Sequence, residues 1–225
     1  MLNSRLVSLA LGAVLSYVLV FSLVWSGSTS KIDTELFSSL NGLAANYGIA
    51  VLSSITTQFG SEVILALIGL LLYLLSSKEN TKIVIGVLFA ITISDLVLSI
   101  LKGAYFRPRP YQTLTPNLPL NLPLGQDEGS SFPSGHATRA FAVAALITMQ
   151  KGKKYSLLLL LSVGVAVSRV IVGLHFPSDV VGGGFLGIAL AVASVAFLSR
   201  YVYPRLPPRF FMKGKQDMTL KSVAA

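Results

Sequence analysis

Cysteine is absent from the 225 residues, which excludes disulfides, thiolate metal sites and a cysteine nucleophile. Charge is scarce as well. Only 12% of the residues are Asp, Glu, Lys or Arg, about half of the roughly 25% of a soluble domain, so there is too little polar surface to coat a water-soluble particle. Acidic residues are the scarcest class, 9 against 18 basic ones, for a net charge of +9. No internal repeat and no low-complexity tract is present. What the chain has in abundance is apolar: 53% hydrophobic residues and a mean hydropathy of +0.72. A disordered chain, a collagen and a disulfide scaffold are excluded. The basic balance fits either a nucleic-acid face or the cytoplasmic loops of a membrane protein, and the placement of the charges decides between them.

Crossing about 30 Å of hydrocarbon takes roughly 17–25 helical residues. Six segments are candidates, near residues 6–25, 62–75, 83–101, 137–149, 156–174 and 180–198, of which the second and fourth are short enough to need neighbours. The first has a basic flank at Arg5 and small residues at Ser26-Gly27-Ser28. Its apolar stretch exceeds the 7–15 residues of a signal-peptide core, so it reads as a retained anchor helix. Lipid admits only helices or closed barrels, and these runs are too long and too evenly apolar for barrel strands. The expected fold is therefore all-α, a single membrane domain of six transmembrane helices over residues 1–225.

With an inside N-terminus, one side receives Arg5, Lys78, Lys82, Lys151, Lys153, Lys154 and the six basic residues from Arg200 to Lys221. The other side and its helix ends receive Lys31, Lys102, Arg107, Arg109, Arg139 and Arg169. Twelve against six puts both termini in the cytoplasm. The basic tail over 200–225 then reads as an anchor to anionic lipid heads, not a nucleic-acid arm. On the outer side, residues 28–61 are mildly amphipathic, with Leu36, Leu40, Leu43 and Ile49 among polar residues, and suit short helices along the interface. Residues 102–135 form a long loop rich in Pro and Leu, and residues 175–179 a tight connection.

Charges at membrane depth are expensive and usually functional. Lys102 ends the third span, and Arg107 and Arg109 follow in Phe106-Arg107-Pro108-Arg109-Pro110. Pro133-Ser134-Gly135-His136 opens the fourth span, Ser168-Arg169 lies inside the fifth, and His175 and Asp179 fall between the fifth and sixth. All of them reach the same outer face under a topology chosen without them. Each has a plainer reading taken singly: a snorkelling Lys or Arg, a helix start at Pro133-Ser134, a structural histidine, a capping Asp179. Those readings would have to hold together on one face in three separate segments, and a guanidinium inside a span, Arg169, needs an anionic partner or ligand.

The set suits a phosphate site. Lys and Arg supply fixed positive donors. Ser134, Gly135 and His136 start a helix, whose free N–H groups and dipole favour an anion, and Gly135 lets the backbone approach closely. Of the two imidazoles, one can attack phosphorus and the other protonate the leaving oxygen. Asp179, four residues after His175 with Pro177 in the first turn between them, fixes the tautomer of His175. His175 is thus the candidate nucleophile, His136 the general acid and Asp179 the orienting carboxylate. No acidic cluster has metal-ligand spacing, so the charge of the arginines and lysine is expected to serve without a metal or other cofactor.

These residues resemble the type 2 phosphatidic acid phosphatase superfamily. Lys102, six intervening residues and Arg109-Pro110 match its first motif, Pro133-Ser134-Gly135-His136 its second, and Ser168-Arg169, five residues, His175, three residues and Asp179 its third. The resemblance implies that Lys102, Arg109, Ser134, Gly135 and Arg169 hold phosphate and that His175 forms a phosphohistidine. It leaves Arg107 without a role. The family's vanadium haloperoxidase relatives share the pocket but are soluble. The leading expectation is a multi-pass enzyme of the cell membrane whose site faces outward and takes a lipid phosphate or diphosphate. Polyprenyl diphosphate is ranked before phosphatidylglycerophosphate and phosphatidic acid. A lipid phosphotransferase and an anion or lipid-phosphate transporter are the alternatives. The oligomeric state is open: Gly183 and Gly187 suit either self-association or, more often, close approach of helices within one bundle. Asp95, seven residues before Lys102, is expected to hydrogen-bond a neighbouring helix, ahead of a role in holding the basic cluster from beneath.

Overall fold

The computed structural model describes residues 4–75, 81–114 and 120–206. Among them every regular element is helical: α1 (Ser4–Trp25), α2 (Ser30–Gly42), α3 (Tyr47–Gln58), α4 (Glu62–Leu75), α5 (Thr81–Ala104), α6 (Pro110–Leu114), α7 (Gly135–Lys151), α8 (Leu157–Ile171) and α9 (Pro177–Phe197), joined by short tighter turns. The termini of these helices follow local chemistry. Pro177 opens α9 at a position where the missing N–H costs nothing, and the Asp179 carboxylate accepts the Phe176 N–H at 2.8 Å. Asn46 caps α3 by accepting from the Ile49 N–H at 3.2 Å.

Helix α7 is the middle of the bundle, packed against α5, α8 and α9. Its inward residues are small: Ala137, Ala140, Ala142, Ala144 and Ala145 are all buried. Small residues let helix backbones close together where lipid supplies no hydrophobic drive between helices. The partner surface of α9 is glycine. A Cβ at Gly183 would stand 2.6 Å from the Ser134 carbonyl oxygen, and one at Gly187 2.3 Å from that of Thr138. The glycine pair thus serves packing within the bundle. One apolar cluster joins α5, α7 and α9 through Val87, Ala90, Ile91, Ala142, Leu146 and Ala191. A second joins α2 to α8 and α9 through Phe37, Ala166, Val170, Phe176 and Val180.

The outward faces carry exposed Leu15, Leu19, Leu70, Leu71, Leu160 and Leu161, a surface for lipid and not for water. Trp25 and Tyr105 pack in a tilted pair at the end of α1, ring centroids 5.1 Å apart, at the kind of position aromatic residues take at a membrane interface. Four described helices are long and apolar enough to cross a membrane: Ser4–Trp25, Thr81–Ala104, Lys153–Ile171 and Pro177–Arg205. A fifth crossing results if Tyr47–Gln58 and Glu62–Leu71, bent by 60°, count as one. The protein is thus a multi-pass membrane protein, all-helical and with four or five such spans by length among the described residues. The expected second span is 14 residues long in α4 and the fourth 17 in α7.

The segment expected along the interface, residues 28–61, is drawn further into the protein than its weak amphipathicity implied, because α2 buries Asp33, Phe37 and Asn41. Asn41 donates to the carbonyls of Asn121 at 2.8 Å and Ile171 at 2.9 Å, pinning α2 to the loop before α7 and to α8. The stretch expected as loop over 102–135 contains the short helix α6. Lys78 and the basic tail beyond residue 206 lie outside the described residues.

Candidate active site

At one end of the bundle the second half of α5, the first turns of α4 and α7, the connection between α8 and α9 at His175, and Arg109, Asp127 and Glu128 of the loops surround a polar cavity of about 340 Å³. Its lining includes Lys102, Arg109, Gly135, His136 and His175 of the expected residues, with Glu62, Asp95, Asp127, Glu128 and Arg139.

His175 is 1% exposed, in the short connection between α8 and α9. Its Nε2 lies 3.5 Å from Arg109 Nη1 and its Nδ1 3.6 Å from Asp179 Oδ2. The second distance exceeds a hydrogen bond. Ser131 completes the link: its Oγ donates to Asp179 Oδ2 at 2.5 Å and stands 3.4 Å from His175 Nδ1. With Nδ1 carrying the proton toward Ser131 and Asp179, Nε2 keeps its lone pair on the Arg109 side. Burial first, then the charges of Arg169, Arg109 and Lys102, hold the imidazole well below its ordinary pKa, so the ring is neutral at neutral pH. Asp179 is completely buried and receives three donors: Ser131 Oγ at 2.5 Å, the Phe176 N–H at 2.8 Å and Arg107 Nη1 at 2.5 Å; the same Arg107 nitrogen also donates to Ser178 Oγ at 2.7 Å.

Arg109 is 2% exposed. Its guanidinium donates to the carbonyls of Gly129 at 3.2 Å, Leu174 at 3.0 Å and Glu128 at 2.9 Å, which fix it beside His175. Arg169 is 3% exposed and reaches Thr57 Oγ1 at 3.3 Å. The Asp127 carboxylate, 48% exposed, lies 3.1 Å from Arg109 Nη2 and 3.4 Å from Arg169 Nη2, so an anionic group already sits between the two arginines. Ser134 precedes α7 in extended conformation. Its N–H is not free for an anion, as the sequence suggested, because it donates to the Asp179 carbonyl at 3.0 Å. Its Oγ, however, is buried with no partner, and so is Arg169 Nε. Ser134, Arg169 and Asp179 are outside the cavity lining, but Ser134 adjoins Gly135 and Arg169 contacts Asp127, which are in it, so the two unpartnered polar groups are compatible with an anionic ligand close by.

Three participants were missed from sequence. Ser131 lies in a loop with no helical register to place it. Asp33, on α2, binds Arg107 Nη2 at 2.7 Å across 74 positions of chain. Arg139 alone had a signal, since it follows His136 by three residues on one helix. It pairs with Asp95 at 2.5 Å and Glu62 at 2.9 Å and donates to the Gly60 carbonyl at 3.1 Å. Asp95 therefore does bond a neighbouring helix, through a cation on the cavity wall.

The family model for the PAP2 superfamily matches residues 83–203, more than half of the chain and every motif residue. The chain belongs to the PAP2 superfamily. Its PAP2 relatives include the undecaprenyl-diphosphatase BcrC of Bacillus subtilis, 31% identical over 171 residues that cover 74% of this chain and 83% of the relative. They also include a protein of Bacillus licheniformis named bacitracin transport permease protein BcrC, 28% identical over 167 residues, 73% of this chain and 80% of the relative. Among solved structures, the PAP2-type phosphatidylglycerolphosphate phosphatase of Bacillus subtilis superposes with a TM-score of 0.69 at 22% identity, covering 87% of this chain and 98% of that one. That likeness concerns the fold of PAP2 membrane proteins.

Proposed function

We propose that this protein is a membrane lipid phosphatase that removes the terminal phosphate of a lipid phosphate or diphosphate, polyprenyl diphosphate first, through a phosphohistidine on His175. The observation that carries the reading is the pairing of a neutral, buried imidazole with a cage of cations: His175 Nε2 stands 3.5 Å from Arg109, inside a cavity that Lys102 also lines. In this mechanism His175 Nε2 attacks phosphorus and the bond from phosphorus to the leaving oxygen breaks. His136, on the same cavity, gives that oxygen its proton. Water then attacks the phosphohistidine as His136 takes a proton back. Lys102, Arg109, Arg169, Ser134 and Gly135 hold the phosphoryl oxygens as charge builds, and Asp179 orients His175.

The relatives named as undecaprenyl-diphosphatases support the substrate class. So does the chemistry of α7. Beyond Gly135, His136 and Arg139 on the polar cavity, Ala140, Val143, Ala144 and Ile147 line an apolar groove of about 340 Å³, suited to the hydrocarbon part of an amphiphile. The excess of basic residues on the opposite side argues for a site at the outer face of the cell membrane. Because the chain lacks cysteine, Gln126→Cys and Lys153→Cys test this directly. A membrane-impermeant thiol reagent should label the first in intact cells and miss the second, and the reverse pattern would place the site inside.

The deciding experiment is phosphate release by the detergent-purified protein from polyprenyl diphosphate, phosphatidylglycerophosphate and phosphatidic acid, with and without EDTA. Release that survives chelation is expected. Loss restored by one divalent ion would defeat a mechanism that relies on arginine and lysine alone. No release from any of the three, with uptake by proteoliposomes, would favour the transport reading that the name of the Bacillus licheniformis relative suggests. Transfer of labelled phosphate to a lipid acceptor instead of water would make the enzyme a phosphotransferase.

A further inference from the structure

We propose that Arg107 and Asp33 form a positioning pair that holds the Asp179 carboxylate in the orientation that serves His175, a role that rests on the reading of His175 as nucleophile. The two arginines of Phe106-Arg107-Pro108-Arg109-Pro110 do different work. Each precedes a proline, which favours extended backbone, and two residues apart they take different surroundings. Arg109 lines the cavity, whereas Arg107, with its side chain 11% exposed, is absent from the lining. The Arg107 guanidinium is instead divided between two buried carboxylates. Nη1 reaches Asp179 Oδ1 at 2.5 Å and Nη2 reaches Asp33 Oδ2 at 2.7 Å. Its face rests 4.7 Å from the centroid of the Phe176 ring.

Asp33 is itself fixed. Its Oδ1 accepts the Ser178 N–H at 2.9 Å and its Oδ2 the Ser178 hydroxyl at 2.6 Å. The pair thereby spans α2, the loop after α5 and the first turn of α9. By taking Asp179 Oδ1, Arg107 leaves Oδ2 to face Ser131, the Phe176 N–H and His175. The Arg107 backbone acts on the same point, since its carbonyl accepts the Ser131 N–H at 2.8 Å. A planar fork is required here, because a lysine is a point charge that cannot present two fixed parallel donors to two carboxylates. Without the guanidinium, Asp33 and Asp179 would be two buried anions with no shared cation, a state that forces one of them to protonate or turn away.

The test is a double-mutant cycle in the full chain, purified in detergent, with kcat and KM measured on polyprenyl diphosphate and thermal stability recorded for every variant. Arg107→Gln should lower kcat by ~10²-fold, the loss that misplacing a reacting group by about 1 Å brings, with KM within about twofold. Asp33→Asn should lower kcat in the same direction by roughly tenfold. Arg107→Lys should not restore wild-type kcat. In an Asp179→Asn background, Arg107→Gln should cost less than about twofold more, because both changes break one unit. Additive losses, a raised KM with normal kcat, or full rescue by lysine would overturn the proposal. So would loss of folded protein in Arg107→Lys and Asp33→Asn as well as in Arg107→Gln, which would make the pair purely structural. A harmless Asp179→Asn would instead defeat the reading of the site on which the pair depends.

Discussion

Where α2, the loop after α5 and α9 meet, a buried wall outside the cavity lining holds the carboxylates of Asp33 and Asp179, 1% and 0% exposed, around Arg107. On the wall that lines the cavity the carboxylates of Glu62 and Asp95 are 59% and 40% exposed around Arg139. Both walls place one guanidinium between two acids, yet burial separates their consequences. Breaking a buried ion pair leaves a charge without solvent and costs about 3–5 kcal/mol, whereas an exposed pair is worth about 0–1 kcal/mol because water replaces the lost partner. The buried wall is therefore set before any ligand arrives. The open wall, and Asp127 with its 48% exposed carboxylate between Arg109 and Arg169, can exchange partners as an anion enters.

Substitutions on the two walls should differ accordingly. His175→Ala should abolish turnover, by at least ~10⁴-fold, because the proposed covalent intermediate forms on this imidazole. Acid-sensitive labelling by substrate phosphate, present in wild type and absent in this variant, is the check, and substantial residual activity would remove His175 from the role. Arg109→Lys should follow, with a loss of ~10²–10³-fold in kcat, because a donor aimed at developing negative charge is lost. Ser131→Ala should lower kcat by about tenfold, roughly the worth of one hydrogen bond near a charge, and a normal rate would show that the serine is not part of the link between Asp179 and His175. Asp95→Asn, on the open wall, should change kcat by only a few-fold and leave thermal stability within a few degrees. A loss at Asp95 as large as that at Arg109 would erase the distinction between the walls.

Much of the candidate site could be proposed from sequence because its residues violate a simple expectation. Lys102, Arg109 and Arg169 are charges beside apolar helices, and His136 and His175 are the chain's two histidines. Their spacing within each segment also survives folding: Pro177 begins α9, His175 lies just before it and Asp179 within its first turn. The second span was harder to read, since α4 has only 14 residues and meets α3 at a bend of 60°. A turn between two short helices has no hydrophobic period of its own.

The sequence by itself determined the helical membrane character and which cations and imidazoles are candidates for the site, because apolar length and local spacing are properties of neighbouring residues. Only the tertiary structure decided which acid answers which base. Asp33 meets Arg107 across 74 positions and Ser131 meets Asp179 across 48. Such contacts follow from how α2, the loop before α7 and α9 pack, and helical periodicity carries no information about partners that far apart.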